Sequence, residues 1–262
     1  MSSSNNLKNL FQAAANAGVI SPQTSTLLSG YLGTIVVAGA AGTAMDDIVA
    51  SDVTLITVLI DASASIGSSG LEDAVRDGQN QLVDAFAGSK EKDAIMMALW
   101  SFNHTQNIYH SYVPVNDAVR LDKKNYQAGG ATALYDTWCN ALAANVAYAT
   151  QLRATGTPCR SVVVVITDGA DCGSKQRASD CAQISRDLLA SEQFVLAFVG
   201  VGPDTDFRAV AKKMGVPDTC VMVAKQATPS ELRKIFQMVS QSAIRASQGQ
   251  IKPGANAGFF TP

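Results

Sequence analysis

Asp61, Ser63 and Ser65 place one carboxylate and two hydroxyl groups at alternate positions, directly after the apolar run 53–60. The run predicts a buried β-strand, so the three side chains would stand in the loop at its carboxyl end. Mg²⁺ prefers oxygen ligands of this kind and is usually held by only one or two carboxylates. Because two of the three groups are neutral, a bound cation would keep enough positive charge to attract an external anion. A structural turn is the alternative, since serine hydroxyls commonly bond nearby backbone.

Two further segments carry oxygen ligands in similar positions. Thr132 follows Gly129 and Gly130 at the predicted start of a helix, and Asp168 comes directly after the apolar segment 161–167. Each also has a structural alternative, because threonine is a common helix N-cap and an Asp-Gly pair favours turns. The functional hypothesis requires the three segments to meet in space.

An alternation of short apolar runs with amphipathic segments predicts an arrangement that would bring them together. The predicted strands are 53–60, 93–102, 105–113, 161–167, 194–201 and 220–223, and the predicted helices are 71–86, 132–149, 177–190, 205–214 and 229–246. Such a series predicts a doubly wound α/β fold with a mostly parallel sheet. The more polar segment 105–113 is predicted to be its one antiparallel edge strand. Ligands of such sheets bind outside the carboxyl ends of the strands, where Asp61 stands.

Composition excludes several classes of function. With 262 residues and 47% hydrophobic content, the chain can bury one large core with appendages. A formal net charge of −2 without basic clusters argues against nucleic-acid binding. The stretch 31–45 is too short and too rich in Gly and Ala to span a membrane, and residues 1–6 lack the features of a secretory signal. We therefore expect a cytoplasmic protein without a membrane span.

Enzyme signatures are also missing from the sequence. The five cysteines include no C-x-x-C pair and are odd in number, which argues against a disulfide framework, and His104 and His110 lie too far from them in sequence to suggest zinc. An aspartyl phosphotransferase would need a second carboxylate at position 63, and no phosphate-binding or dinucleotide-binding loop is present. We expect no enzymatic activity. The weaker alternative is Lewis-acid chemistry on a phosphorylated substrate, for which no general base can be named.

The two ends of the chain form separate predicted regions. Residues 1–51 are predicted to be a helical, Gly- and Ala-rich extension, with one helix over 7–19 and a second starting at Ser21-Pro22. This extension could pack on the domain or support self-association, and its part 30–50 could be an extra strand or a packed linker. Residues 247–262 are predicted to be a flexible tail.

Together these residues resemble the von Willebrand factor A (VWA) domain family, over about residues 52–246. Its metal-ion-dependent adhesion site (MIDAS) combines D-x-S-x-S with a threonine in a second loop and an aspartate in a third. The matching residues, in the family's order, are Asp61, Ser63, Ser65, Thr132 and Asp168. The resemblance implies that the three hydroxyls bind the cation directly or through water and that the two carboxylates hold it mainly through water. It also implies that the final helix, 229–246, can slide when the site is occupied.

The resemblance implies a metal-dependent protein-interaction module. Mg²⁺, which Mn²⁺ or Ca²⁺ could replace, would bind an Asp or Glu side chain of a partner protein within an intracellular assembly. Two alternatives remain open. The chain could be a structural subunit that forms a homo-oligomer through residues 1–51, with a metal that only stabilises the loops, or an adaptor of a MoxR-type AAA+ ATPase.

Overall fold

A computed structural model describes residues 3–261, which contain a single six-stranded sheet with the strand order β3-β2-β1-β4-β5-β6. The strands are β1 (Val53–Asp61), β2 (Ile95–Phe102), β3 (Gln106–Pro114), β4 (Cys159–Thr167), β5 (Phe194–Val201) and β6 (Val221–Ala224). All neighbouring pairs are parallel except β2 and β3. The predicted fold class is therefore confirmed, including the antiparallel strand at the edge.

The centre of the sheet is apolar because both of its faces are covered. Every residue of β1 is buried, and its register beside β4 pairs Val58 with Val164. The four consecutive valines of β4 are also buried, as expected for a parallel strand between two helical layers. Both strands end at the same edge of the sheet, where β1 delivers Asp61 and β4 delivers Asp168.

Helices cover the two faces of this sheet. They are α1 (Ser3–Asn16), α2 (Pro22–Gly30), α3 (Thr34–Gly39), α4 (Ala64–Ser68), α5 (Glu72–Ala87), α6 (Leu134–Ala154), α7 (Ala178–Ala190), α8 (Phe207–Lys213) and α9 (Pro229–Ser247). Helices α5 and α9 pack together on one face, and α6 lies on the other with α7 beside it. Gly78 allows α9 to come close to α5, since a Cβ atom there would lie 2.2 Å from the Phe236 ring. Among residues 3–261, no helix combines the length and apolar character that crossing a bilayer requires.

The helix predicted over 132–149 differs from the observed α6 at both ends. It begins at Leu134 with Ala133 as its N-cap, so Thr132 stays in the preceding loop and does not cap the helix. The helix continues to Ala154 and ends before Gly156, whose positive φ of 87° suits a helix terminus. Thr132 therefore lies outside the helix, in a loop near the carboxyl ends of the parallel strands.

The N-terminal helices form a hairpin that packs on the domain. Helix α1 contacts α6 and buries Leu7 and Phe11, while α2 contacts α7. The predicted cap is confirmed, because the Ser21 hydroxyl accepts a hydrogen bond from the backbone N–H of Thr24 at 3.2 Å. The Ser21 backbone N–H donates to the carboxylate of Asp187 at 2.7 Å. The apolar side of the hairpin is thus already covered within one chain.

Residues 30–50 form a packed linker and contain no strand, so the alternative of an extra strand is wrong. Helix α3 lies so close to the sheet that a Cβ atom on Gly39 would be 2.2 Å from the Trp100 ring. Further along, the backbone N–H of Thr43 donates to the carbonyl of Tyr112 on β3 at 2.8 Å. The linker therefore shields part of an edge strand that would otherwise offer unpaired backbone groups.

We predicted a flexible tail over 247–262, but Ser247 still belongs to α9 and residues 248–261 do not extend freely, while residue 262 lies outside the described part of the chain. Phe259 is fully buried, and its carbonyl accepts a hydrogen bond from the Arg245 guanidinium at 3.1 Å. The backbone N–H of Gly254 donates to the carbonyl of Phe194, at the start of β5, at 2.8 Å. These contacts bind the segment to the same core as the sheet.

Candidate metal centre

The loop after β1 fixes the orientation of a buried carboxylate. Asp61 is only 1% exposed, and one of its oxygens accepts the backbone N–H of Ser63 at 2.7 Å. The other accepts the hydroxyl of Thr167, the last residue of β4, at 2.5 Å. The hydroxyl of Tyr126 donates to the Asp61 carbonyl at 2.6 Å. The end of β1 is therefore anchored to two other segments before α4 begins.

The two serine hydroxyls of this loop point to the same place as Asp168. Their oxygens are 3.0 Å apart, and the Ser65 hydroxyl donates to the Asp168 carboxylate at 2.7 Å. The Ser63 hydroxyl lies 3.5 Å from the same carboxylate oxygen. Ser63 is almost fully buried whereas Ser65 is exposed, so the cluster reaches from the protein interior to the surface.

The second loop lies against the first through backbone hydrogen bonds. The backbone N–H of Gly129 donates to the Ala62 carbonyl at 2.8 Å, and that of Ala64 donates to the Gly130 carbonyl at 3.0 Å. Gly130 has a φ of 82°, and a Cβ atom there would lie 2.2 Å from the His104 ring. Glycine is therefore required at this position both by the backbone conformation and by the close approach of the imidazole.

Thr132 lies between the second and third loops. Its carbonyl accepts the backbone N–H groups of Cys172 at 2.9 Å and Gly173 at 3.1 Å. Its hydroxyl is adjacent to Gly169, because a Cβ atom built there would be 3.4 Å from that oxygen. The structure thus brings Thr132 next to the loop that carries Asp168, as the three-loop hypothesis requires.

Several residues that hold this arrangement were not singled out by sequence reasoning. Thr167 bonds Asp61 directly, and the Asn103 amide donates to the Gly129 carbonyl at 2.6 Å. The carboxylate of Asp136, in the first turn of α6, accepts the backbone N–H groups of Lys175 and Gln176 at 2.9 and 2.8 Å. Of these residues, only Thr167 could have been recognised from the sequence, because it stands immediately before Asp168 at the end of a strand.

The electrostatics of the centre leave negative charge uncompensated. The pKa of Asp61 is raised to about 6, mainly by burial and to a smaller extent by the nearby Asp168 carboxylate, while hydrogen bonds from Thr167 and Ser63 act to lower it. Burial likewise raises the pKa of Asp168 above its ordinary value. Within residues 3–261, neither carboxylate forms a salt bridge with a Lys, Arg or His side chain. A cation would supply the charge that the protein does not.

The donor set matches a hard cation better than a soft one. Two carboxylates and three hydroxyls offer oxygen only, which suits Mg²⁺, Mn²⁺ or Ca²⁺. No group of three or more His, Cys, Asp or Glu side chains is placed to hold a metal in the part of the chain that the structure describes. The five candidate ligands do not form such a group, because three of them are serine or threonine residues. Their fit is chemical, and their role as ligands stays a prediction.

A polar cleft of about 170 Å³ opens beside the first loop at Ala62, although none of the five candidate ligands lines it. It is lined by Ala62 from the first loop and Asn103 from the β2–β3 turn, together with Lys124, Asn125 and Gln127 from the segment before the second loop. Most of these side chains can donate hydrogen bonds, and the lining includes a cation and no carboxylate. The cleft is thus suited to polar or anionic groups.

Three solved structures show the same fold at low sequence identity. A von Willebrand factor type A protein from Catenulispora acidiphila aligns with a TM-score of 0.50 and 15% identity, over 74% of this chain and 43% of its own. The PilB minor pilin from Streptococcus sanguinis aligns with 0.52 and 10%, over 77% and 63%. The pilus adhesin SpaC from Lactobacillus rhamnosus GG aligns with 0.52 and 12%, over 74% and 30%. The chain spans less than two thirds of the length of each.

A family model assigns this chain more specifically than the solved structures do. No curated protein matches the chain significantly. The family model of the von Willebrand factor type A domain matches residues 56–238, which is well over half of the chain and runs from within β1 into α9. The sheet order and the antiparallel edge strand agree with this match. The chain therefore belongs to the von Willebrand factor type A domain family.

Proposed function

We propose that this protein is a metal-dependent protein-interaction module. A divalent cation, Mg²⁺ in the first instance, would be held by Asp61, Ser63, Ser65, Thr132 and Asp168, and it would bind a carboxylate of a partner protein. Domains of this family commonly mediate protein–protein interaction, which supports the general class. The observation that carries the specific proposal is the meeting of three loops around two carboxylates that have no cationic side chain as partner within residues 3–261.

The five proposed ligands contribute differently, according to their charge and exposure. Asp61 and Asp168 supply two negative charges, which attract a divalent cation without neutralising the interaction with a further anion. Ser63, Ser65 and Thr132 add neutral oxygens. Because Ser65 is exposed while Ser63 is buried, the open side of the site faces solvent at the position where a partner side chain would arrive. When bound, the cation supplies the positive charge that attracts the partner's carboxylate.

The adjoining cleft indicates the chemistry of the partner next to that carboxylate. Its hydrogen-bond donors and the ammonium group of Lys124 favour a neighbouring polar or acidic side chain over an apolar one. We therefore expect the partner segment to carry a second polar or acidic residue close to the metal-binding one. A cytoplasmic assembly is the setting that we propose for this interaction.

The packing of the N-terminal helices favours this function over a structural homo-oligomer. Leu7, Phe11 and Ala14 of α1 are buried within the same chain, and α2 is bonded to α7 through Ser21 and Asp187. The apolar residues of α1 that self-association through this helix would need are thereby covered. The extension is instead expected to stabilise the domain that carries the site.

Metal binding can be tested directly by calorimetric titration of Mg²⁺ and Mn²⁺ into chelator-treated protein. We expect the wild type to bind one ion, Ser65→Ala to bind more weakly and Asp168→Ala to lose binding. Ser69→Ala is a matched control, since Ser69 is exposed next to α4 but outside the ligand set. Unchanged binding by Asp168→Ala would contradict the site assignment.

Partner recognition needs a second measurement. Cell extract passed over immobilised protein in Mg²⁺ and in EDTA should yield proteins whose retention is lost in EDTA and with Ser65→Ala, but not with Ser69→Ala. Retention that is equal in both buffers would argue for a metal-independent interaction. Lys124→Glu should weaken retention without changing metal affinity, whereas Lys123→Glu, outside the cleft, should leave both unchanged.

A further inference from the structure

Two buried cysteine side chains meet between neighbouring helices. Cys139 on α6 and Cys181 on α7 are both fully buried, and their sulfur atoms are 3.5 Å apart. The other cysteines are differently placed. Cys172 is exposed in the third loop, and the thiol of Cys220 donates to the Ala257 carbonyl. Only the α6–α7 pair thus has two sulfurs in contact among the described cysteines.

We propose that Cys139 and Cys181 form a disulfide site that ties α6 to α7. A disulfide bond has a sulfur–sulfur distance of about 2.05 Å. The two sulfurs therefore have to approach by about 1.5 Å for the bond to form. An odd number of cysteines argued against a framework of several bridges, but it does not count against one bridge between two packed helices.

The reaction is an exchange with a low-molecular-weight disulfide such as oxidised glutathione. One thiolate attacks the glutathione disulfide, which releases one reduced glutathione and forms a mixed disulfide. The second thiol loses its proton and attacks that bond, which releases the second reduced glutathione. The protein loses two hydrogens and two electrons in total, and both electrons pass to glutathione.

Burial decides when this exchange can occur. Neither sulfur is reachable from solvent in the folded protein, and burial raises the pKa of the Cys181 thiol, so its reactive thiolate is scarce. We therefore expect the bond to form during folding, before α6 and α7 close over the pair, and only where oxidised glutathione is plentiful, because a reducing cytoplasm keeps such thiols reduced. Once formed, the bond would be protected from reductants by the same burial.

The position of the bond relates it to the loops of the metal centre. Helix α6 begins at Leu134, directly after the loop of Thr132, and α7 follows the loop of Asp168. The two cysteines are 42 positions apart, and the segment between them contains β4 and the third loop. A bond here would limit the separation of the two helices that these loops lead into. From the loop length we expect it to raise the Tm by about 10 °C.

The test uses the full chain, reduced and unfolded, then refolded either in a mixture of reduced and oxidised glutathione or in dithiothreitol. We expect mass spectrometry after alkylation to show the loss of two hydrogens, and peptide mapping to place the bond between Cys139 and Cys181. The Tm should be about 10 °C higher than in dithiothreitol. Cys172→Ser should behave like the wild type, and Cys181→Ser should show neither change.

Several results would overturn the proposal. One is a folded product in which both thiols are alkylated at every glutathione ratio, and another is a bond that involves Cys172 instead. If refolding fails, the folded wild type is incubated with oxidised glutathione about 10 °C below its Tm, where local opening exposes the pair. The absence of a bond between Cys139 and Cys181 under those conditions would also refute the proposal. None of these results depends on whether the protein binds metal.

Discussion

Replacing Asp61 by asparagine should stabilise the metal-free protein at neutral pH. Asp61 is 1% exposed and forms no salt bridge with a cationic side chain among the described residues, so its charge is costly when no metal is bound. An uncharged side chain of the same shape would remove this cost. Most substitutions of buried residues have the opposite effect, which makes the prediction a sharp one.

The magnitude follows from the difference in the pKa of Asp61 between the folded and unfolded states. The pKa is raised from 3.8 to about 6 on folding, and a difference of one pKa unit corresponds to about 1.4 kcal/mol. The charged form of Asp61 therefore lowers the free energy of unfolding by about 3 kcal/mol. Because the folded protein holds the proton more tightly, this group costs no stability below pH 3.8. The free energy of unfolding then falls as the pH rises towards 6, and the full cost is present at pH 7.5.

Asparagine can keep the hydrogen bonds that Asp61 makes. Its carbonyl oxygen can accept the backbone N–H of Ser63, as the carboxylate does at 2.7 Å. Its NH₂ group can donate to the Thr167 hydroxyl, because that hydroxyl can itself donate to the Gly169 carbonyl 3.0 Å away. The substitution therefore removes the charge and leaves the local bonding satisfied.

The assay is urea unfolding followed by circular dichroism between pH 5 and pH 8, in EDTA and in Mg²⁺. In EDTA at pH 7.5 the Asp61→Asn variant should be more stable than the wild type by up to about 3 kcal/mol, and the difference should shrink towards pH 5. In Mg²⁺ the wild type should gain stability and the variant should not. Asp46→Asn, at an exposed carboxylate, should show no such difference. An Asp61→Asn variant that is less stable than the wild type in EDTA at pH 7.5 would refute the reasoning.

Two further predictions concern packing, and urea unfolding measures both. Gly78→Ala should destabilise the protein by about 1–3 kcal/mol despite the better helix propensity of alanine, because its Cβ would lie 2.2 Å from Phe236 and force α9 away. Gly30→Ala is the control and should be close to neutral, because a Cβ atom there would meet no atom within 4 Å. Equal effects of the two substitutions would contradict the close packing of α5 against α9. Phe259→Ala should cost about 3–5 kcal/mol because the ring is fully buried, whereas the half-buried Phe260→Ala should cost less. A neutral Phe259→Ala would mean that the C-terminal segment adds no stability.

Local patterns in the sequence determined the order and type of the main elements. The apolar run of β1 and the four valines of β4 predict buried parallel strands from residue type alone. The pairs Ser21-Pro22 and Thr228-Pro229 fix the starts of α2 and α9, since the hydroxyl caps the helix and proline suits its first position. Because a parallel sheet has its ligand site at the carboxyl ends of its strands, the same patterns also predicted where Asp61 and Asp168 would meet.

Contacts between segments that are distant in sequence decided the features that local patterns did not specify. The Thr167 hydroxyl that holds Asp61 is 106 positions away in the sequence, and the register of β1 beside β4 brings the two together. The docking of Phe259, the path of residues 30–50 and the contact between Cys139 and Cys181 likewise depend on surfaces that other segments supply. Periodicity and capping act over a few residues, so they specify each element. The partners of its side chains are set only when the elements pack around one core.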